Sequence, residues 1–236
     1  MLQHLFNKTF LQKIFPYTCA VCKLRSDTNR DLCSVCYGEL PWLIDVCYQC
    51  GQPLVDAYES VRCQKCMFSP PNFDRFCGLF HYQPPIDKLI TQLKFNYKLA
   101  YGNLLGQLLL EQYSLWYKTA TIPEAIIPVP LHNLRYRARG FNQVQEILRP
   151  FMRAQNIAIV DDLCIKLKHT KPQTRIGAKY RRRNLKGVFQ LARKVPYEHI
   201  AIVDDVFTTG STIRAVSEVF RAAGVQCIDV WCICRA

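Results

Sequence analysis

The sequence predicts an α/β protein built on a parallel sheet, preceded by a small module stapled by metal. Three observations predict it. Eight of the thirteen cysteines fall into four Cys-x-x-Cys pairs within 48 residues. The stretch His199 to Gly224 reads as strand, polar loop and helix, with another strand after it. A chain of 236 residues, 50% hydrophobic and 21% charged, is long enough for one sizeable core or two modest ones and too apolar to be disordered.

The N-terminal stretch is amphipathic, is interrupted by Lys8 and Lys13, and shows no small-residue cleavage site after a pure apolar run. It is read as carrying no signal peptide, and the expected compartment is the cytoplasm. The longest uncharged apolar run, Leu99 to Leu110, is broken by Gly102, Asn103, Gly106 and Gln107 and falls short of the roughly eighteen residues of a membrane helix. No membrane span is expected.

The cysteine pairs are Cys19 with Cys22, Cys33 with Cys36, Cys47 with Cys50, and Cys63 with Cys66. A two-residue gap lets both sulfurs of one turn face the same ion, and two such turns complete the tetrahedral thiolate shell of structural zinc. Thiols stay reduced in the cytosol, so a disulfide framework is disfavoured and two zinc ions are expected. Sequential pairing of the turns closes the shortest loops, while a cross-braced pairing uses the same residues. Four thiolates fill each shell and leave no position for a catalytic water, so both ions are read as structural. Cys77, Cys164, Cys227, Cys232 and Cys234 lie in apolar, strand-like contexts and read as core.

A domain boundary is placed after residue 75. Residues 1–75 hold 8 basic and 7 acidic side chains, and residues 76–236 hold 23 and 11, so nearly all of the net +13 lies downstream. There, Phe76 to Tyr82 reads as a strand. Ile86, Leu89, Ile90 and Leu93 recur at helical spacing, and Leu104, Leu105, Leu108 and Leu109 repeat it. Ala125 to Val129 is a short strand. Asn142 to Gln155 reads as a helix despite Pro150, and Ile157 to Val160 and Val188 to Leu191 as further strands.

Ile200 to Val203 is a continuous apolar run that Asp204 and Asp205 are expected to end. Val206 to Thr209 lead to Gly210, Ser211 to Ala223 is helical, and Val225 to Cys234 forms the last strand. Such a loop gathers backbone N–H groups at a helix N-terminus, and Thr208, Thr209, Ser211 and Thr212 add hydroxyls around Gly210. A phosphate monoester fits there. The two acids would repel it unless the ligand also carries hydroxyls that need acceptors, as a ribose 5-phosphate does. Neither the glycine and lysine pattern of a P-loop nor that of a dinucleotide fold is present.

The string AIVDDVFTTGST resembles the 5-phosphoribosyl 1-pyrophosphate (PRPP) motif of type I phosphoribosyltransferases. With the four cysteine pairs ahead of it, and with QLKF, IPVPL, RGFNQ, RRRNLKGVF and the closing VWCICRA, almost the whole chain resembles the ComF/GntX family. The resemblance implies a phosphoribosyltransferase-like parallel sheet with helices on both faces, preceded by a double zinc ribbon. It further implies that Asp204 and Asp205 hold ribose hydroxyls and form the catalytic centre if there is one. Thr208, Thr209, Gly210, Ser211 and Thr212 would cradle the 5-phosphate. Lys94, Arg135 and Arg139 are the candidates for the pyrophosphate, with Mg2+ bridging it.

Lys166 to Lys194 holds eleven basic residues and no acidic one. Arg181, Arg182, Arg183, Lys186 and Lys179 are the candidate DNA contacts, because a run of this kind tracks phosphates while aromatic faces accept bases. Single-stranded DNA is preferred as partner because the family resemblance implies a competence role in DNA uptake during natural transformation. The alternatives are an active phosphoribosyltransferase of unknown acceptor and a zinc-ribbon adaptor for a DNA-translocating helicase.

Overall fold

The computed structural model describes residues 16–54, 61–154, 157–167 and 187–236. Its N-terminal part consists of two cysteine modules of one design. In the first, Cys19 and Cys22 lie on a turn in which the Lys23 N–H donates to the Cys19 carbonyl at 3.0 Å. Cys33 then caps a short helix, α1 (Ser34–Gly38), that carries Cys36. In the second, the Gly51 N–H donates to the Cys47 carbonyl at 2.8 Å, and Cys63 precedes α2 (Gln64–Phe68), which carries Cys66. Both turns place the residue after the second cysteine at positive φ, 66° for Lys23 and for Gly51. Glycine is needed at 51 on a further count, since a Cβ there would lie 2.2 Å from the Phe76 ring.

The modules lie along the outer edge of β1 (Arg75–His81). The Leu43 N–H donates to the Leu79 carbonyl at 2.8 Å, the His81 N–H to Pro41 at 2.8 Å, and the Phe76 N–H to Tyr48 at 2.9 Å. Backbone groups that an edge strand would leave open are thereby paired.

Two helices follow, α3 (Ile86–Asn96) and α4 (Leu99–Trp116), and the leucines and isoleucines that predicted them are all buried. After β2 (Ala125–Pro128) come α5 (Asn133–Arg139) and α6 (Gln143–Ala154), the latter intact around Pro150. Then come β3 (Ala158–Ile159), β4 (Cys164–Lys166), β5 (Phe189–Leu191), β6 (His199–Phe207), α7 (Ser211–Ala222) and β7 (Cys227–Arg235). Five strands form a parallel sheet in the order β1-β7-β6-β2-β3, while β4 and β5 pair antiparallel beside it.

Alternation along β6 divides the core between the two faces. Ala201 and Val203 join a cluster with Leu93, Leu105, Ile147, Phe151 and Trp231, so α3, α4 and α6 cover one face. Ile200 and Ile202 join Ile213, Val216 and Phe220 of α7 on the other. The first cluster also takes in Cys19, Leu32 and Leu40, so the first cysteine module is part of the main core. It is tied to α4 through Glu111, which accepts from Arg30 at 2.6 Å and from the Tyr37 hydroxyl at 2.8 Å.

Two expectations need correction, and one helix had not been expected. Asp204 and Asp205 do not end the strand: β6 runs through them to Phe207, because β7 continues the ladder with Asp204 opposite Cys232 and Val206 opposite Cys234. Polar side chains at a strand's end are tolerated once the neighbouring strand satisfies their backbone. The helix α5 had no signal in the sequence, since none of its residues is buried and apolar periodicity is absent. Cys227 is partly exposed, unlike Cys77, Cys164, Cys232 and Cys234, which are buried as expected.

Candidate functional site

The cysteines assemble into two separate groups, Cys19, Cys22, Cys33 and Cys36, and Cys47, Cys50, Cys63 and Cys66, with all four sulfurs of each group within 4.8 Å of one another. This decides for sequential pairing of the turns. With Zn–S bonds of about 2.3 Å, the edge of a tetrahedral thiolate shell is about 3.8 Å. Cys22 and Cys33 are 3.9 Å apart and Cys50 and Cys63 are 3.7 Å apart, so the donor sets fit zinc. Burial opposes ionisation of Cys19, but backbone N–H donors from Cys33 and Cys22 bring it down to about 6, while burial and the neighbouring sulfurs push Cys36 up to about 12. Four thiolates at this spacing need a dication between them. The ions are structural.

A third ligand-type group, His199, Cys227 and Asp229, lies at the opposite end of the sheet from the β6–α7 loop. Asp229 there accepts from the Tyr117 hydroxyl and lies 3.2 Å from His199 Nε2, and Tyr117 in turn accepts from the Trp231 indole at 2.9 Å. This is a satisfied buried network.

The sheet order fixes where a ligand crevice opens. The chain steps outward from β2 to β3 on one side and from β6 to β7 on the other, so the carboxyl ends of β2 and β6 form the switch point. Asp204 and Asp205 lie in the carboxyl-terminal part of β6, with Asp205 two residues short of its end at Phe207, and α5, with Arg135 and Arg139, follows β2. Lys94 reaches in from the last turn of α3, its Nζ 2.5 Å from Asp205 Oδ2. Burial works against the Lys94 charge, but the Asp205 carboxylate, helped by Asp204, outweighs it and holds the ammonium above its ordinary value. Desolvation, then the Asp205 charge, pushes Asp204 up to about 8. The Asp204 side chain also accepts from the Asp205 N–H at 2.9 Å.

Arg139 is lowered by burial, with Asp205 opposing that shift and Arg135 adding to it. Its guanidinium lies 5.7 Å from the Phe95 ring centre and donates to Gln143. Lys166, read from the sequence only as the start of the basic stretch, also belongs to this neighbourhood. Burial and then Arg135 lower its pKa, Asp204 opposes them, and its Nζ sits 5.3 Å over the Phe189 ring. Its one sequence signal was its charge on a short alternating strand.

Thr208 and Thr209 are exposed in the loop, and Ser211 and Thr212 open α7. Gly210 is at φ 70°, and a Cβ there would meet the Phe207 ring at 2.4 Å, so the loop's tight return depends on glycine. No side chain caps α7, and Thr209 and Ser211 hydroxyls lie 3.0 Å apart. The site therefore joins acceptors at Asp204 and Asp205 to cations and hydroxyl donors around them. Arg181, Arg182, Arg183, Lys186 and Lys179 lie outside the described residues.

Residues 10–67 match the family model of the double zinc ribbon domain. Over 232 residues, covering 96% of this chain and all of the relative, the chain is 34% identical to Competence protein F of Haemophilus influenzae. The chain belongs to the ComF family. Other relatives of this ComF-family chain include DNA utilization protein YhgH of Salmonella typhimurium and of Escherichia coli, each 32% identical over 223 residues, which is 93% of this chain and 97% of the relative. Among the described residues, no helix of this ComF-family chain is long and apolar enough to cross a membrane.

Proposed function

We propose that this chain serves DNA uptake or utilization as a cytoplasmic binder of single-stranded DNA whose α/β domain also binds PRPP with Mg2+. One observation carries the reading: in a chain alike over nearly its full length to a competence protein, the fold gathers Asp204, Asp205, Lys94 and Arg139 at the sheet's switch point. Asp204 and Asp205 suit the hydroxyls of a ribose, and the Thr208–Thr212 loop suits its 5-phosphate. Lys94, Arg135 and Arg139 suit the pyrophosphate, and Mg2+, bound with the ligand, neutralises the diphosphate. The DNA backbone is assigned to the basic stretch, with Arg181, Arg182, Arg183, Lys186 and Lys179 as its contacts. A DNA-translocating helicase is the protein partner this role calls for.

The test has two arms. PRPP with Mg2+ raises the melting temperature, since a ligand at a hundredfold excess over its Kd stabilises the native state by about 2.7 kcal/mol. The Asp204→Asn, Asp205→Asn double variant loses that rise, and an undiminished rise rejects the ribose assignment. Single-strand affinity falls with salt at a log–log slope of about 0.7 per phosphate contact, and changing Arg181, Arg182 and Arg183 to Ala reduces affinity and slope together. An unchanged slope moves the DNA contacts elsewhere. The acid pair among cations favours a second reading, transfer of the phosphoribosyl group to a nitrogen acceptor. The new C1–N bond would form as the C1–O bond to pyrophosphate breaks, and acceptor-dependent release of pyrophosphate identifies it.

A further inference from the structure

Between the second cysteine module and the β6–α7 loop lies a cleft of about 560 Å³. Among the described residues, the charged side chains that line it are of one sign. Lys65 of α2, Arg214 of α7 and Arg235 of β7, with the His81 imidazole, surround Thr208, Thr209 and Ser211, and among the described residues no Asp or Glu side chain lines it. Arg235 is engaged in docking the module, donating to the Cys50 carbonyl at 3.2 Å and to Gln52 Oε1 at 2.9 Å, and also to Ala236. Lys65 and Arg214 form no ion pair among the described residues. Cationic side chains that converge on a concave surface repel one another, and an anion seated between them removes that cost.

The two ligands proposed above share one chemical group. PRPP and the 5′ end of a phosphorylated strand each carry a phosphate monoester on C5 of a pentose, and a monoester bears close to two negative charges where an internal phosphodiester bears one. Resting on the single-strand reading, we propose that this cleft receives the 5′-phosphorylated end of a DNA strand. The terminal phosphate sits on the hydroxyls of Thr208, Thr209 and Ser211, and Lys65 and Arg214 flank it and the phosphodiester that follows. The cleft is larger than one phosphoryl group, and its rim of Lys65, Thr208 and Thr209 is exposed, so the strand can leave it for solvent. The second cysteine module then contributes to ligand binding as well as to folding.

The test titrates the zinc-loaded full chain with one labelled oligonucleotide made in three forms: 5′-phosphate, 5′-hydroxyl and 3′-phosphate. The 5′-phosphate form binds about tenfold tighter than the other two, as a charge-assisted contact predicts, and PRPP competes for that advantage. The Lys65→Ala, Arg214→Ala double variant loses the advantage while keeping its zinc. Equal affinity for all three forms, an equal advantage from a 3′-phosphate, or an advantage that survives in the double variant overturns the inference and leaves the DNA reading intact. Absence of any single-strand binding at low salt overturns the DNA reading itself, and the inference with it.

Discussion

Lys94 and Asp205, on elements distant in the chain, form an ion pair at 2.5 Å whose side chains are 20% and 5% exposed. This pair settles a conflict that the sequence sets up: two adjacent acidic residues in the last part of a buried strand need a cation.

Removing one partner of such a pair leaves an uncompensated buried charge, so Lys94→Met costs about 3–5 kcal/mol in urea unfolding. The Lys94→Met, Asp205→Asn double variant recovers part of that loss, because the stranded carboxylate is gone. Equal losses in the single and double variants would show that packing of the lysine stem, rather than the pair, is at stake.

The Asp204 carboxyl titrates at about 8 in the folded chain through desolvation and the Asp205 charge, against an ordinary value of about 3.9 when unfolded. The folded state holds the proton more tightly, so this contribution to stability is complete below about pH 4 and is lost as pH rises through about 8. Melting temperature should therefore decline less between about pH 5 and pH 9 in Asp204→Asn than in wild type. Parallel profiles for the two proteins would refute the assignment.

Because the two cysteine groups share no ligand, Cys22→Ser should retain the second zinc and Cys63→Ser the first, each variant measuring one ion per chain by metal analysis. Loss of both ions from either variant would indicate that the modules fold as one unit. The Cys22 variant should also lose melting temperature through the main core, since Cys19, Leu32 and Leu40 are packed within it.

Close approach of α4 to α6 depends on Gly106, where a Cβ would lie 2.0 Å from the Ile147 carbonyl oxygen and 2.9 Å from the Pro150 ring. Gly106→Ala should cost about 1–3 kcal/mol of stability as the helices part. Gly38→Ala, with nothing within 4 Å, is the control and should stay within about 0.5 kcal/mol of wild type. A neutral Gly106→Ala would mean that the helices separate freely.

What the sequence determined by itself is local. Four Cys-x-x-Cys pairs in succession specify metal turns, and the buried periodicity of Ile86 to Leu93 and of Leu104 to Leu109 specifies two helices, because burial of one face repeats with the helical turn. The order of strand, loop and helix from His199 to Ala222 was legible for the same reason. The tertiary structure decided what depends on distant partners. It chose which cysteine turns share an ion, carried β6 through Asp204 and Asp205 by pairing it with β7, and placed Lys94 on Asp205. It formed α5 without an apolar face, and it brought Lys65 of a metal module to the same cleft as Thr208, Thr209 and Ser211 of the β6–α7 loop. Periodicity records only which face of an element is buried, whereas each of these outcomes turns on what another part of the chain presents to that element.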